Sequence, residues 1–125
     1  MKGIAIGLSN NSKEILKRLE KTEFVKDIYI AGSSEINREK NELIQVQKPR
    51  EILLKKWQEI DLIIFIGSIA ASIRIINSFL TSKDQDQGVI VIDNKCSKIV
   101  PLIGLHQSIR KILHFKLLIY LVAKL

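Results

Sequence analysis

The stretch that decides the fold is LIIFI, from Leu62 to Ile66, the most strand-like segment of the chain. It is continuous, apolar and rich in β-branched residues, a pattern typical of a central strand that is covered on both faces. Two further runs share this pattern, GIAIGL at residues 3–8 and GVIVI at residues 88–92. Such strands favour a mainly parallel sheet with helices on both faces.

Helical patterns alternate with these strands. Asn11 and Glu14 have the spacing of a capping box, and the apolar stripe that follows predicts a helix ending near Lys21. Pro49 suits the first position of a second helix, which runs to about Ile60. Weaker strands are predicted at residues 27–31, 43–46 and 98–103, the last as a hairpin partner or neighbour of the strand at 88–92.

A third helix is predicted from the turn at Gly67 and Ser68 to about Leu80, and a fourth over residues 106–125. Alternation of this kind predicts a three-layer α/β/α sandwich with a mainly parallel sheet. A chain of 125 residues allows one such domain and makes two unfavourable.

The composition narrows the class of protein. The chain has 46% apolar residues and a net charge of +7, from 20 Lys and Arg against 13 Asp and Glu, which excludes collagen-like and disordered classes. Every acid lies at or before Asp93, so residues 94–125 hold six basic residues and no acid, and contribute +6 of the +7. Such a basic tail fits nucleic acid, an anionic membrane surface or an acidic small molecule.

Several classes of partner and cofactor are disfavoured. One Cys and two His without paired spacing predict no metal site. The sequence contains no dinucleotide-binding or phosphate-loop motif, so no cofactor is predicted. Seven aromatic residues spread over the chain make nucleic-acid binding unfavourable. Residues 117–123 are the longest charge-free run of the predicted last helix, too short for a transmembrane segment, which needs about 20 residues. The lone Cys96 and an N-terminus without a signal-peptide pattern predict the cytoplasm.

Three loops follow predicted strands, at residues 8–12, 67–74 and 93–106, where ligands of open α/β sheets bind. On its helix, Arg74 is predicted to share a face with small or polar residues, opposite an apolar face that includes Ile69 and Ile73. It is interpreted either as a contact to a ligand carboxylate or as an ordinary surface cation. His106 is either a general acid or base or a helix-start residue without chemistry.

Three motifs in order carry a family resemblance: FIGSIAASIR at residues 65–74, SKDQDQGVIVID at residues 82–93 and KIVPLIGLHQ at residues 98–107. Together they resemble the N-terminal domain of the cobalamin biosynthesis protein CbiG, the cobalt-precorrin-5A hydrolase family. The resemblance implies a role in anaerobic cobalamin synthesis, where the family opens a lactone on an anionic cobalt-tetrapyrrole substrate and releases acetaldehyde.

The resemblance also implies the site residues. Arg74 is placed on a substrate carboxylate, His106 is the possible catalytic acid or base, and Asp93 lies near the macrocycle. Gly104 allows close approach of the substrate, and Ser68 is added to the substrate-binding residues.

Family members are normally longer, so residues 1–125 are interpreted as a single stand-alone or truncated CbiG N-terminal-like domain, with a divergent basic, apolar C-terminal helix at residues 108–125. Activity is expected to need further domains. A homo-oligomer, or a separate chain with the missing domains, is the expected protein partner. The alternative is a non-catalytic interaction or tetrapyrrole-binding module that oligomerises through its last helix. A weaker one is membrane or RNA association through the basic tail.

Overall fold

The computed structural model of the chain describes residues 2–23, 25–32, 45–80, 87–95 and 98–103. In these ranges the chain forms six strands and three helices. In chain order they are β1 (Gly3–Gly7), α1 (Lys13–Glu20), β2 (Val25–Ala31), β3 (Gln45–Gln47), α2 (Pro49–Lys56), β4 (Leu62–Ile66), α3 (Ile69–Ile76), β5 (Gly88–Ile92) and β6 (Ile99–Ile103). The predicted fourth helix at residues 106–125 lies outside the described residues.

The strands form one sheet in the order β3-β2-β1-β4-β5-β6. Neighbouring strands are parallel except β5 and β6, which are antiparallel. The predicted mainly parallel sheet is therefore confirmed, and β6 is the hairpin partner of β5. From β1 the chain builds outward through β2 and β3, and it then returns to the other side of β1 with β4. The carboxyl ends of β1 and β4 therefore lie at a topological switch point, where open α/β sheets bind ligands.

The helices lie on both faces of the sheet, which confirms the three-layer sandwich. Apolar side chains of α1 pack with one face of the sheet, and those of α2 and α3 belong to the core on the other face. Phe65 of β4 is fully buried on the second face, beside Ile6 of β1 and Val91 of β5 in register. LIIFI is thus a central strand that is covered on both faces, as its sequence predicts.

The first helix begins differently from the prediction. A 3₁₀ turn at Asn10–Ser12 precedes α1, and Ser12, rather than Asn11, is its N-cap residue. The hydroxyl of Ser12 donates to the main-chain oxygen of Ser9, so it closes the turn and does not cap the helix. The capping box predicted from Asn11 and Glu14 is therefore wrong, because local turn bonds replaced it.

The predicted second and third helices also end earlier than expected. Each gives way to a 3₁₀ turn, at Trp57–Glu59 and at Asn77–Phe79. Four apolar residues of the second helical segment are buried on the α2 side of the sheet: Ile52, Leu53, Trp57 and Ile60.

Lys56, the last residue of α2, connects this helix to β2. Its Nζ lies 2.8 Å from Oδ2 of Asp27 and 5.4 Å from the ring centroid of Tyr29. The hydrogen bond to Asp27, and after it that to Tyr29, raises the pKa of Lys56 above its ordinary value of 10.5. A base whose pKa is raised on folding stabilises the fold below pH 10.5, and the stabilisation is lost as the pH rises through the folded-state pKa.

We expect Lys56→Met to lower the free energy of unfolding by less than about 1 kcal/mol at neutral pH, because the ion pair is partly exposed. The variant should also lose part of the wild-type fall in stability above pH 10.5. Urea denaturation over a pH series measures both effects. The exposed neighbour Lys55, changed to Met, is the matched control, and equal pH profiles for the two variants would contradict the prediction.

Candidate functional site

The loops after β1, β4 and β5 are joined by main-chain hydrogen bonds at the carboxyl edge of the sheet. The amide of Leu8 donates to the oxygen of Ile66 at 2.9 Å, and the amide of Gly67 donates to the oxygen of Ile92 at 2.9 Å. Each loop therefore leaves the sheet at a position set by its neighbour. This edge is the candidate functional site.

Gly67 gives the loop after β4 its shape. Its φ is 151°, a conformation that L side chains rarely adopt. A Cβ built on Gly67 would lie 2.9 Å from Cβ of Leu8, so the two loops approach more closely than two side chains allow. The tight turn at this end of β4 therefore requires glycine.

The loop after β1 is closely packed as well. A Cβ built on Gly7 would lie 1.9 Å from Oγ of Ser12, whose side chain is buried against this strand end. The hydroxyl of Ser9 is buried and has no hydrogen-bond partner among the described residues. Glycine at the end of β1 thus makes room for the serine-rich turn that opens α1.

Ser68 is the N-cap residue of α3. Its Oγ accepts a hydrogen bond from the amide of Ala71 at 3.1 Å, and its main-chain oxygen accepts the hydroxyl of Ser72 at 2.9 Å. The residue itself is exposed. Ser68 therefore stabilises the start of α3, and its side chain lies at the edge where a ligand could reach it.

Asp93 follows β5 and closes the hairpin to β6. Its Oδ1 accepts the amide of Lys98 at 2.9 Å, and its own amide donates to the oxygen of Lys98 at 3.2 Å. Because β4 and β5 are in register, with Ile66 opposite Ile92, Asp93 and Ser68 come from neighbouring strand ends. The structure gives Asp93 a role in the turn in addition to its predicted role near a ligand.

Arg74 lies further along α3, about 9 Å from Ser68 at 1.5 Å per residue. Its main-chain oxygen accepts a hydrogen bond from Nη2 of Arg50 in α2 at 3.3 Å. Both arginines are exposed, and among the described residues neither forms an ion pair with a carboxylate. Arg74 is thus grouped with Arg50 on the helix layer and is set back from Ser68 and Asp93.

The exposed side of α3 differs from the predicted one. Ile69 and Ile73 are 42% and 47% exposed, whereas Ser72 is fully buried. Ser72 can face the core because its hydroxyl bonds to the oxygen of Ser68 within the same helix. The predicted apolar face with Ile69 and Ile73 is therefore not the buried face of α3, and these two residues share the exposed surface with Arg74.

Two predicted site residues, Gly104 and His106, lie outside the described residues, so their predicted roles stay predictions. In the ranges that the structure describes, no group of three or more His, Cys, Asp and Glu side chains could hold a metal ion. None of the described helices is both long and apolar enough to cross a membrane.

Arg50 is the residue of this region that the sequence reasoning missed. It follows Pro49 near the start of α2, in a sequence whose charge pattern is ordinary for a helix surface. Its contact with Arg74 depends on the packing of α2 beside α3. No local sequence pattern indicates that α2 and α3 are neighbours, so this contact could not be predicted from the sequence.

The fold and its edge define a class, the open, mainly parallel α/β domain whose candidate site lies at the carboxyl ends of β1, β4 and β5. Within this class, residues 51–111 match the family described as cobalamin synthesis G N-terminal. The resemblance that the three motifs predicted is therefore confirmed over that stretch. The predicted site residues all fall inside the matched stretch: Ser68, Arg74, Asp93, Gly104 and His106.

Among solved structures, the chain is similar to the crystal structure of a protein described as a cobalamin biosynthesis protein G homolog from Sulfolobus solfataricus, with a TM-score of 0.65 and 18% sequence identity. The match covers 95% of this chain and 34% of that chain, so this chain spans about a third of the neighbour's length. The likeness supports the fold. No curated protein matches the chain.

Proposed function

We propose that the chain acts in cobalamin biosynthesis, as a domain that binds the anionic cobalt tetrapyrrole on which cobalt-precorrin-5A hydrolases act. The match of residues 51–111 to the cobalamin synthesis G N-terminal family carries this proposal. The matched stretch contains α3 and three of the six strands, β4, β5 and β6. It also contains two of the three loops at the candidate site, those after β4 and β5.

The chemistry of the edge suits a ligand that bears several carboxylates. Arg74 has no carboxylate partner among the described residues, and a guanidinium can hold a carboxylate through two parallel hydrogen bonds. Ser68 supplies a hydroxyl at the start of the same helix. Asp93 lies in the turn after β5, at the neighbouring strand end. In the proposed complex Arg74 holds a peripheral carboxylate, while Ser68 and Asp93 border the ring.

The proposed reaction of the family type is the hydrolysis of a lactone. A base removes a proton from water, the oxygen adds to the ester carbonyl, and the ring C–O bond breaks as the alkoxide is protonated. His106 is the proposed acid or base, and Gly104 is proposed to let the substrate approach. Because the chain spans 34% of its structural neighbour, activity is proposed for the chain together with further domains.

The test mixes the purified chain with cobalt-corrinoid intermediates. Absorbance of the macrocycle reports binding. Mass spectrometry reports ring opening as the gain of one water, and release of the two-carbon fragment as the further loss of acetaldehyde. We expect binding by the chain alone and ring opening after further domains of the family are added. Absence of an absorbance change, with or without those domains, would overturn the proposal.

We expect Arg74→Gln to weaken binding of the cobalt tetrapyrrole by about tenfold or more, since a charge-assisted hydrogen bond to a carboxylate contributes roughly 1.5–3 kcal/mol. The matched control is Arg18→Gln on α1, on the other face of the sheet, where Arg18 pairs with Glu14 at 2.9 Å. Absorbance titrations of both variants make the comparison. Equal affinities would exclude Arg74 from the binding site.

The alternative proposal is a non-catalytic interaction module. The exposure of Ile69 and Ile73 favours this class, because such residues are better suited to contact than to solvent. The predicted route, oligomerisation through the last helix, involves residues 108–125, which lie outside the described residues. Sedimentation of the chain before and after deletion of residues 108–125 tests that route, and an unchanged monomer would exclude it.

A further inference from the structure

Exposed apolar side chains are confined to one layer of the described structure. In the described ranges the exposed large apolar residues are Leu54, Ile69 and Ile73, with 74%, 42% and 47% of their surface accessible. Leu54 lies on α2, and both isoleucines lie on α3. Single exposed apolar residues are common on soluble proteins, but all three of these fall on one side of the sheet.

The helix on the opposite face provides an internal comparison. The three apolar residues of α1, Ile15, Leu16 and Leu19, are all buried, and the exposed residues of this helix are charged. Helix α1 therefore has the ordinary pattern of a helix between core and water. The layer of α2 and α3 departs from that pattern in the same protein, so its exposed residues mark a particular surface.

Charge borders this surface. Arg50 reaches from α2 to the main chain of α3, and neither Arg50 nor Arg74 pairs with a carboxylate among the described residues. Residues 48–80 carry five basic and three acidic side chains, a net charge of +2. Two copies packed through this face would bring like charges together, whereas a partner with carboxylates would neutralise them.

We propose that the outer surface of α2 and α3, formed by Leu54, Ile69 and Ile73 with Arg50, docks a folded protein domain whose own surface is apolar and bordered by carboxylates. The size of the structural neighbour supports such an occupant. This fold corresponds to 34% of that chain, so about two-thirds of the neighbour is further polypeptide that accompanies the matched part. Apolar contacts with a charged border are the usual anatomy of a docking surface.

This proposal goes beyond the proposed tetrapyrrole site and is compatible with it. Ligand sites occur preferentially at interfaces between domains, and Arg74 directly follows Ile73 of the docking surface on α3. A domain docked on α3 would cover the side of Arg74 that water now reaches. A ligand carboxylate on Arg74 and a protein partner on Ile69 and Ile73 would then share one interface.

The test measures binding of a defined probe by isothermal titration in the absence of any tetrapyrrole. The probe is the part of the Sulfolobus solfataricus neighbour that lies outside the matched third, produced as a separate chain whose folding circular dichroism verifies. The full chain of this protein is titrated with it. We expect binding that weakens as salt rises, because charged groups border the contact. Lack of binding at protein concentrations of about 100 μM overturns the proposal.

Variants then test the surface itself. We expect Ile73→Ser and Arg50→Glu each to weaken probe binding by about tenfold or more, as central apolar and arginine contacts do. The control is Lys21→Glu, an exposed basic residue at the end of α1, with an expected change below about twofold. Because Ile73 is half exposed, its replacement should leave the fold intact, which circular dichroism verifies.

Two further outcomes would also overturn the proposal. The first is equal weakening of binding by Lys21→Glu and Arg50→Glu, which would mean general attraction to a basic protein. The second is self-association of the chain that Ile73→Ser abolishes, which would make a second copy the occupant. This test is independent of the proposed function. If the chain binds the probe but no tetrapyrrole, the result supports the docking proposal and contradicts the proposed function.

Discussion

Phe65→Ala is expected to lower the free energy of unfolding by about 3–5 kcal/mol, the range for deleting a buried phenyl ring. Phe65 is fully buried in the central strand, with Ile6 on one neighbouring strand and Val91 on the other. Its loss leaves a cavity between the sheet and the layer of α2 and α3, and the hydrogen-bonded strands cannot collapse into it. Urea denaturation of the variant measures the effect.

The matched control is Phe65→Leu, which retains most of the apolar volume. We expect it to cost less than about 1.5 kcal/mol, because near-isosteric changes in cores are tolerated. Similar losses for the two variants would mean that the ring itself, rather than the filled volume, stabilises this position. A loss below 1 kcal/mol for Phe65→Ala would contradict the central position of β4 in the core.

Gly67→Ala is expected to cost about 2–4 kcal/mol, the sum of backbone strain at its φ of 151° and a clash with Leu8. The new Cβ would have to push away Cβ of Leu8, which lies 2.9 Å from it and is anchored by the bond of its amide to Ile66. The loops after β1 and β4 would separate. The effect is measured as a shift in the urea midpoint, together with amide exchange at Leu8.

Gly88→Ala is the control for this prediction, at the opposite end of the adjacent strand. Its Cβ would lie 3.4 Å from Cδ1 of Leu62, an ordinary contact, so we expect a change within about 1 kcal/mol of wild type. If both glycine variants were equally stable, the positive φ of Gly67 would carry no cost. Such a result would remove the argument that this turn requires glycine.

The two central strands that follow a continuous apolar pattern, LIIFI and GVIVI, could be predicted from the sequence. In the structure, β4 and β5 begin and end at the residues that bound LIIFI and GVIVI in the sequence. A continuous run of β-branched residues next to a glycine is a clear strand pattern, so both ends could be predicted. Both runs are buried over nearly their whole length. Burial on two faces removes the ambiguity of register that an alternating strand would leave.

The exposed face of α3 could not be predicted in the same way. In IAASIRII, apolar or small residues occupy seven of eight positions, so the periodicity leaves several faces equally suited to the core. Packing against the sheet selected the side with Ser72, whose hydroxyl is satisfied inside the helix. That choice left Ile69 and Ile73 in solvent, which no rule of hydrophobic periodicity indicates.

The candidate site was predicted in part for a similar reason. Asp93 directly follows one buried strand, and Ser68 comes two residues after another. Because parallel strands bring their carboxyl ends together, the common edge of these residues follows from the sequence. The pairing of Arg50 with the main chain of Arg74 joins residues 24 positions apart and depends on which helices are neighbours. The strand order decides that adjacency, and it is a property of the whole sheet.

The joining of the three edge loops through amides and carbonyls has a consequence for the divergence of the sequence. The bonds from Leu8 to Ile66 and from Gly67 to Ile92 use no side-chain atom, so substitutions at most of these positions leave them intact. Such an edge keeps its outline while the residues that line it are exchanged. Proteins that share a fold but only 18% of their residues, as this chain and the Sulfolobus protein do, can therefore keep the scaffold and differ in the chemistry placed on it.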